Sequence, residues 1–269
     1  MFLENCEVIS NIQIAGNTYL MKVKGNKSID KTKAGQFFML QVKSGMTFLR
    51  RPISIHYVNK EKSELEFYYE VKGQGTKDLA EVKIGEEINI QGPLGNGFDT
   101  HIENKNIVVV GGGMGMAPMK LLIEELLKNK NKVVFIAGGR NSNALEILSN
   151  FNLNNVNTLI TSDDGSIGTK GRVDTKLKEV LKNEKFDLVY TCGPEKMMEA
   201  VGRISEENDV ECQVSLEARM ACGVKACVGC SIKTKSGMKK VCHDGPVFDS
   251  KIIVDLNPKV ENKTSCCGN

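Results

Sequence analysis

The stretch NIVVVGGGMGMAPMKLLIEELLK, residues 106–128, decides the fold. An apolar run at 107–110 is followed by Gly111, Gly112, Gly113 and Gly115. Met119, Leu122, Ile123, Leu126 and Leu127 then repeat at the i, i+3, i+4, i+7, i+8 spacing of one buried helical face. Pro118 suits the first turn of that helix, where a missing N–H costs nothing. A buried strand, a glycine turn and a helix N-terminus form the start of a βαβ unit, whose turn binds a pyrophosphate on backbone N–H groups. As a G-x-G-x-x-G match the cluster fails at Met116, so a close-packed turn without a ligand remains an alternative reading of these residues alone.

Downstream, VVFIA at 133–137, TLIT at 158–161 and DLVYT at 187–191 repeat the apolar texture every 25 to 30 residues. Each interval can hold one crossover helix, which predicts a doubly wound parallel sheet over 101–213. Upstream, β-branched and aromatic runs at 6–14, 18–24, 37–42, 53–58, 65–71 and 87–91 predict a small antiparallel β-barrel or sandwich over 1–100. GPLGNG at 92–97 has too many turn formers for a regular element and is read as the boundary.

After residue 213 the apolar periodicity stops. A segment at 214–257 holds four close cysteines and is too short to build its own core without a metal. Residues 258–269, with Cys266 and Cys267, read as a tail.

The 269 residues suit about two domains at about 150 residues each. Thirty-six Lys and Arg against 33 Asp and Glu leave a net charge of +3, too balanced for a nucleic-acid binder. The longest apolar stretch is cut by glycines and a proline, so no membrane span is expected. MFLENCEVIS lacks the basic and apolar regions of a secretion signal, and the expected location is the cytoplasm.

Of nine cysteines, Cys222, Cys227, Cys230 and Cys242 form C-x4-C-x2-C-x11-C, whose first three positions have the spacing of plant-type [2Fe-2S] proteins. The alternative is structural zinc, but zinc ribbons present two C-x2-C knuckles and this segment has one. His243 reads as a polar neighbour, Lys225 as an exposed cation, and Cys192 by itself as an ordinary buried thiol. His56 and His101 are expected to be structural. RRPISI at 50–55 and KGQGT at 72–76 could offer a rigid guanidinium and hydroxyl and backbone donors to a phosphate, although each alone is common in barrels. The ribose position after the second sheet strand holds Arg140 instead of a carboxylate, a hint of NADP.

Barrel, nucleotide-binding sheet and cysteine loop in this order resemble the ferredoxin reductase superfamily, and within it the electron-transfer subunits of type B dihydroorotate dehydrogenases. The resemblance runs through nearly the whole chain. It is carried by RRPISI, the GQGT loop, GPLGNGF at 92–98, GGGMGMAP at 111–118, SDDGSIGTKGRV at 162–173, CGPEKMM at 192–198, LEARMACGVKACVGC at 216–230 and VCHDGPVF at 241–248.

It implies that Arg51, Pro52, Ile53 and Ser54 form the flavin motif, with Arg51 on the FAD pyrophosphate and Ser54 near the isoalloxazine. Tyr68, Tyr69 and Glu70 would line the flavin, and Gly75 and Thr76 would hold its phosphate. Gly111, Gly112, Gly113 and Gly115, with Cys192, Gly193 and Pro194, would face the nicotinamide nucleotide, Cys192 close to the transferring carbon. The four clustered cysteines would bind the [2Fe-2S] cluster. Lys225 departs from the small residue usual there, and the Cys266-Cys267 tail has no role in the family.

The family works with NADH, which is preferred here over the hint from Arg140. The implied activity carries electrons between the cluster, FAD and NAD(H). It is coupled to dihydroorotate oxidation in pyrimidine biosynthesis on a partner FMN-containing subunit, in a heterotetramer with two of each chain. Nothing in 269 residues is left to build that β/α barrel of about 250 residues. Two alternatives are a ferredoxin:NAD(P) or sulfide dehydrogenase-type subunit of the same superfamily, and a zinc-stapled, non-enzymatic nucleotide-binding module.

Overall fold

The computed structural model describes residues 1–42 and 48–253, so the Cys266-Cys267 tail lies outside the described residues. Strands β1 (Phe2–Ala15), β2 (Thr18–Lys24), β3 (Phe37–Leu40), β4 (Arg51–Asn59) and β5 (Glu64–Glu70) precede a short helix, α1 (Gln74–Ala80), and β6 (Glu87–Leu94). The six strands close into an antiparallel barrel in the order β1-β2-β5-β4-β3-β6.

Side chains alternate across each strand. In β3, Phe38 and Leu40 enter the barrel core with Ile55, Leu65 and Phe67. Phe37 and Met39 point the other way, into a second core shared with the rest of the chain. The 92–97 segment is not wholly irregular as expected. β6 continues through Gly92 and Pro93 to Leu94, because Gly92 leaves room for the Phe38 ring, whose nearest carbon would lie 2.2 Å from a Cβ there.

The second unit contains β7 (Asn106–Gly112), α2 (Met119–Lys128), β8 (Lys132–Gly139), β9 (Asn157–Ser162), β10 (Thr169–Lys170), α3 (Val173–Asn183), β11 (Leu188–Cys192), α4 (Glu195–Glu207) and β12 (Glu211–Ser215). The sheet order is β10-β9-β8-β7-β11-β12, all parallel. α2 buries Met119, Leu122, Ile123 and Leu126, four of the five positions its periodicity marks, and leaves Leu127 partly buried. The interval between β8 and β9 holds a 3-10 helix, Ser142–Asn150, instead of an α-helix. Its sequence is broken by Ser and Asn, and only Leu145 and Ile147 are buried.

The cysteine segment does not stand apart. After the irregular cysteine loop come β13 (Ser231–Thr234), β14 (Gly237–Lys240), α5 (Val241–Asp244) and β15 (Val247–Asp249), and β15 pairs antiparallel with β12 as the seventh strand of the sheet. The 213/214 position falls inside β12. Val241, Cys242 and Phe248 share a core with Val189, Val214, Met39 and Leu94, so sheet and barrel supply the apolar surface the segment lacks.

Barrel and sheet are joined by buried polar contacts. His56 Nδ1 lies 2.6 Å from the Ala117 carbonyl and donates to it. Burial, then the charge of Lys120, holds His56 down to about 4. Its ring sits against Tyr68 and Phe151, as its structural reading expected. Glu66, buried in β5, pairs with Lys22 at 2.9 Å and with Lys120 of α2 at 3.1 Å. Burial alone would raise its pKa, but the two ammonium groups outweigh this and hold it below the ordinary glutamate range.

Candidate functional site

A cleft of about 1080 Å³ lies where barrel, sheet and cysteine segment meet. Its walls include Tyr68 and Glu70 of β5, the turn after β7, Gly193 and Pro194 after β11, and Ile232 and Lys233 of β13. It therefore opens at the carboxyl ends of the parallel strands, where doubly wound sheets bind ligands. Gly112, Gly113 and Gly115 reach it, whereas Gly111 is buried in the β7 end.

The turn's geometry depends on Gly115. A Cβ there would lie 2.4 Å from the carbonyl carbon and oxygen of Cys192 and from the nitrogen of Gly193. The glycine turn thus rests directly on the Cys192-Gly193 backbone. The Cys192 thiol itself is buried, 4% exposed. Burial first, with the charge of Glu217, pushes it up to about 12. It is a neutral thiol, unsuited to nucleophilic or proton-transfer work, while its neighbours Gly193 and Pro194 face the cleft.

On the barrel, Arg51 starts β4, and its guanidinium lies against the first turn of α1. A Cβ on Gly75 would stand 2.0 Å from Arg51 Nε. Thr76 Oγ accepts from the Lys72 and Gly73 N–H groups at 2.9 and 3.2 Å and donates to the Gly73 carbonyl, which shapes this loop. Arg51 has no carboxylate partner among the described residues, which leaves it available to an anion. Pro52, Ile53 and Ser54 follow, partly exposed, along β4, with Ser54 opposite Phe37.

Tyr68, Tyr69 and Glu70 do not share one face. Tyr68 and Glu70 line the cleft, and the Tyr68 hydroxyl donates to Thr18 Oγ at 2.9 Å. Tyr69 alternates to the other side, is buried, stacks on Tyr19 and donates to Asn11 Oδ1 at 3.0 Å. Its side chain belongs to the barrel core, so the expectation that it lines a flavin is corrected by the strand's period of two.

Cys222, Cys227 and Cys230 lie on one loop, and Cys242 meets them from α5. The N–H groups of Cys227 and Val224 donate to Cys222 Sγ at 3.3 and 3.4 Å, and that of Lys225 to Cys242 Sγ at 3.4 Å. The Cys227 N–H first, and that of Val224, lower Cys222 to about 7. N–H groups aimed at sulfur are the environment a thiolate-bound iron–sulfur cluster requires. Among the described residues no three His, Cys, Asp or Glu side chains converge on a single ion, which a two-metal cluster does not need.

Lys225 has a φ of +67°, a left-handed backbone that glycine adopts more easily. Its carbonyl accepts from Lys240 Nζ at 2.9 Å, so its contribution to the loop is made by the backbone. A Cβ on Gly223 would fall 2.8 Å from Met39 Cγ, which seats the loop on the outer face of the barrel. His243 is half-exposed beside Asp244, while Cys6 and Cys212 are buried free thiols.

Some of the cleft was not singled out from sequence: Lys72, Arg172, Glu217 and Lys233 also line it. For Arg172 and Glu217 a signal existed, since both follow closely on sheet strands.

Comparison with known proteins agrees with this arrangement. Residues 5–98 match the oxidoreductase FAD-binding domain, 109–203 the oxidoreductase NAD-binding domain, and 217–254 the iron-sulfur cluster binding domain of dihydroorotate dehydrogenase B. The chain is 38% identical over 245 residues to the dihydroorotate dehydrogenase B (NAD(+)) electron transfer subunit of Caldanaerobacter subterraneus subsp. tengcongensis, covering 90% of this chain and 94% of that one. It is 39% identical over 247 residues to that of Clostridium perfringens, with the same shares. Among solved structures, a chain of the NADH-dependent reduced ferredoxin-NADP oxidoreductase superposes with a TM-score of 0.84 at 27% identity, over 94% of this chain and 92% of that chain. A ferredoxin NADP+ reductase from Neisseria gonorrhoeae, at 18% identity and TM-score 0.63 over 76% of this chain and 91% of that one, shares the fold.

Proposed function

Because the chain belongs to the family of dihydroorotate dehydrogenase B electron-transfer subunits, we propose that it moves electrons between a [2Fe-2S] cluster, FAD and NAD(H). This transfer couples dihydroorotate oxidation on a partner FMN-containing subunit to NAD reduction, in pyrimidine biosynthesis. The observation that carries this reading is the single cleft walled at once by the barrel, the glycine turn and the cysteine segment.

FAD supplies the chemistry that joins hydride exchange with a nicotinamide to single-electron exchange with a cluster. The residues fit it. The unpaired Arg51 guanidinium beside Gly75 offers a cradle for a pyrophosphate, with Thr76 holding the loop in shape. Pro52 and Ile53 carry the strand to Ser54, and Tyr68 and Glu70 face the cleft.

The turn at Gly112, Gly113 and Gly115 and the Gly193-Pro194 pair hold the dinucleotide, with Cys192 acting through its backbone. Cys222, Cys227, Cys230 and Cys242 ligate the cluster. The division is a FAD-binding barrel at 1–100, an NAD-binding domain at 101–213, a [2Fe-2S] module at 214–257 and a tail at 258–269.

Two copies of each subunit make the assembly, and it works in the cytoplasm. The buried thiols outside the cluster loop, Cys6, Cys192 and Cys212, suit a reducing compartment, and no helix among the described residues is long and apolar enough to cross a membrane. A second reading, an NADP-linked reductase of the same superfamily, is favoured by Arg140 and Arg172 lining the cleft beyond β8 and β10.

The test mixes the purified chain with the FMN subunit and follows NAD reduction on adding dihydroorotate. Coupled turnover with NAD and not NADP is expected. Absence of coupling with both chains loaded overturns the proposal, and a strong preference for NADP selects the second reading.

A further inference from the structure

Glu217 stands out among the groups lining the cleft. In the register of the sheet Cys192 pairs with Ser215, so residue 217 lies just past the carboxyl end of β12. The chain turns away at this point, tied by the Leu216 N–H to the Pro246 carbonyl at 2.9 Å. Glu217 is exposed to the cleft near Gly193 and has no ion pair or hydrogen bond among the described residues. Its charge is felt at the Cys192 thiol.

The two ends of the cleft differ. Arg140 and Arg172 lie at the β8–β9 end, the glycine turn lies centrally, and Glu217 lies at the β11–β12 end beside the cysteine segment. A dinucleotide seated with its phosphates on the glycine turn extends both ways. Its redox ring must lie toward barrel and cysteines, where electrons are exchanged, which is the Glu217 end. That ring carries a positive charge in NAD+ and loses it when hydride arrives.

We propose that the Glu217 carboxylate is a specificity-determining residue that favours binding of the charged, oxidised nicotinamide over the neutral, reduced one. The inference deepens the function proposed above and rests on it. A carboxylate attracts the positively charged ring, and does so more strongly in a partly closed site than in open water. The contribution vanishes when the ring is reduced, so it helps the site take NAD+ and release NADH.

The experiment measures dissociation constants on oxidised, flavin- and cluster-loaded protein for three probes. These are NAD+, the uncharged, unreactive analogue 1,4,5,6-tetrahydro-NAD, and ADP-ribose, which lacks the ring. In Glu217→Gln, NAD+ is expected to weaken about tenfold, while the other two stay within about twofold. Glu217→Asp should retain part of the preference. Unchanged NAD+ binding, or equal weakening of all three probes, overturns the inference. If loaded wild-type protein binds no ADP-ribose, the underlying dinucleotide reading falls and takes the inference with it, a result distinct from a failed preference.

Discussion

Gly75 and the Arg51 guanidinium compete for one space: a Cβ on residue 75 would stand 2.0 Å from Arg51 Nε. Residues from β4 and α1 are thereby held as a unit. In Gly75→Ala the guanidinium must move. A charge-assisted hydrogen bond is worth about 1.5–3 kcal/mol, so FAD affinity should fall about tenfold or more. Reconstitution of apoprotein, followed by flavin fluorescence, checks this. Wild-type affinity in the variant would separate Arg51 from the flavin phosphate.

Gly115 makes the corresponding close approach in the sheet. Gly115→Ala puts a methyl 2.4 Å from the Cys192 carbonyl group. The turn is expected to lift from β11, with a rise of about tenfold in the KM for NADH, since misplacing a positioning element by about 1 Å is costly. Flavin content should hold, and loss of flavin in parallel would point to general unfolding instead.

His56 makes stability depend on pH. Its folded pKa of about 4 lies below the ordinary 6.5, so the unfolded chain takes up the proton first. The stabilisation is complete above 6.5 and is lost as pH falls toward 4, amounting to about 2 kcal/mol at pH 5. Urea unfolding at pH 7 and pH 5 should show this loss in wild type and a flatter dependence in His56→Asn. Equal slopes would remove His56 as the cause.

Cys222→Ser removes one of four cluster thiolates from the more exposed side of the loop. The visible absorbance of the cluster should be lost or altered and dihydroorotate-to-NAD coupling should fall to background, while bound flavin persists. Full coupling in this variant would mean that electrons leave by another route.

Much of this architecture was legible because unbroken apolar runs and helical spacing leave few choices. The stretch from Ile107 to Leu126 folds as its periodicity requires, and the cysteine spacing marked its own module. What escaped were features set by tertiary partners. Val247 and Phe248 are too few to signal a strand, and β15 exists because β12 offers an open edge. Gly92 and Pro93 look like turn formers, yet the Phe38 ring needs the space of a glycine on β6. Tyr69 shares a motif with Tyr68 but turns inward by strand alternation. Glu217 follows directly on a sheet strand, but gains its meaning only where three units converge.

The most direct measurement is an anaerobic NADH titration of the purified chain, followed by visible absorbance and electron paramagnetic resonance. Bleaching of a bound flavin together with the signal of a reduced [2Fe-2S] cluster is the expected result. A bleached flavin beside a cluster that stays oxidised, or cysteines holding no iron, would contradict it.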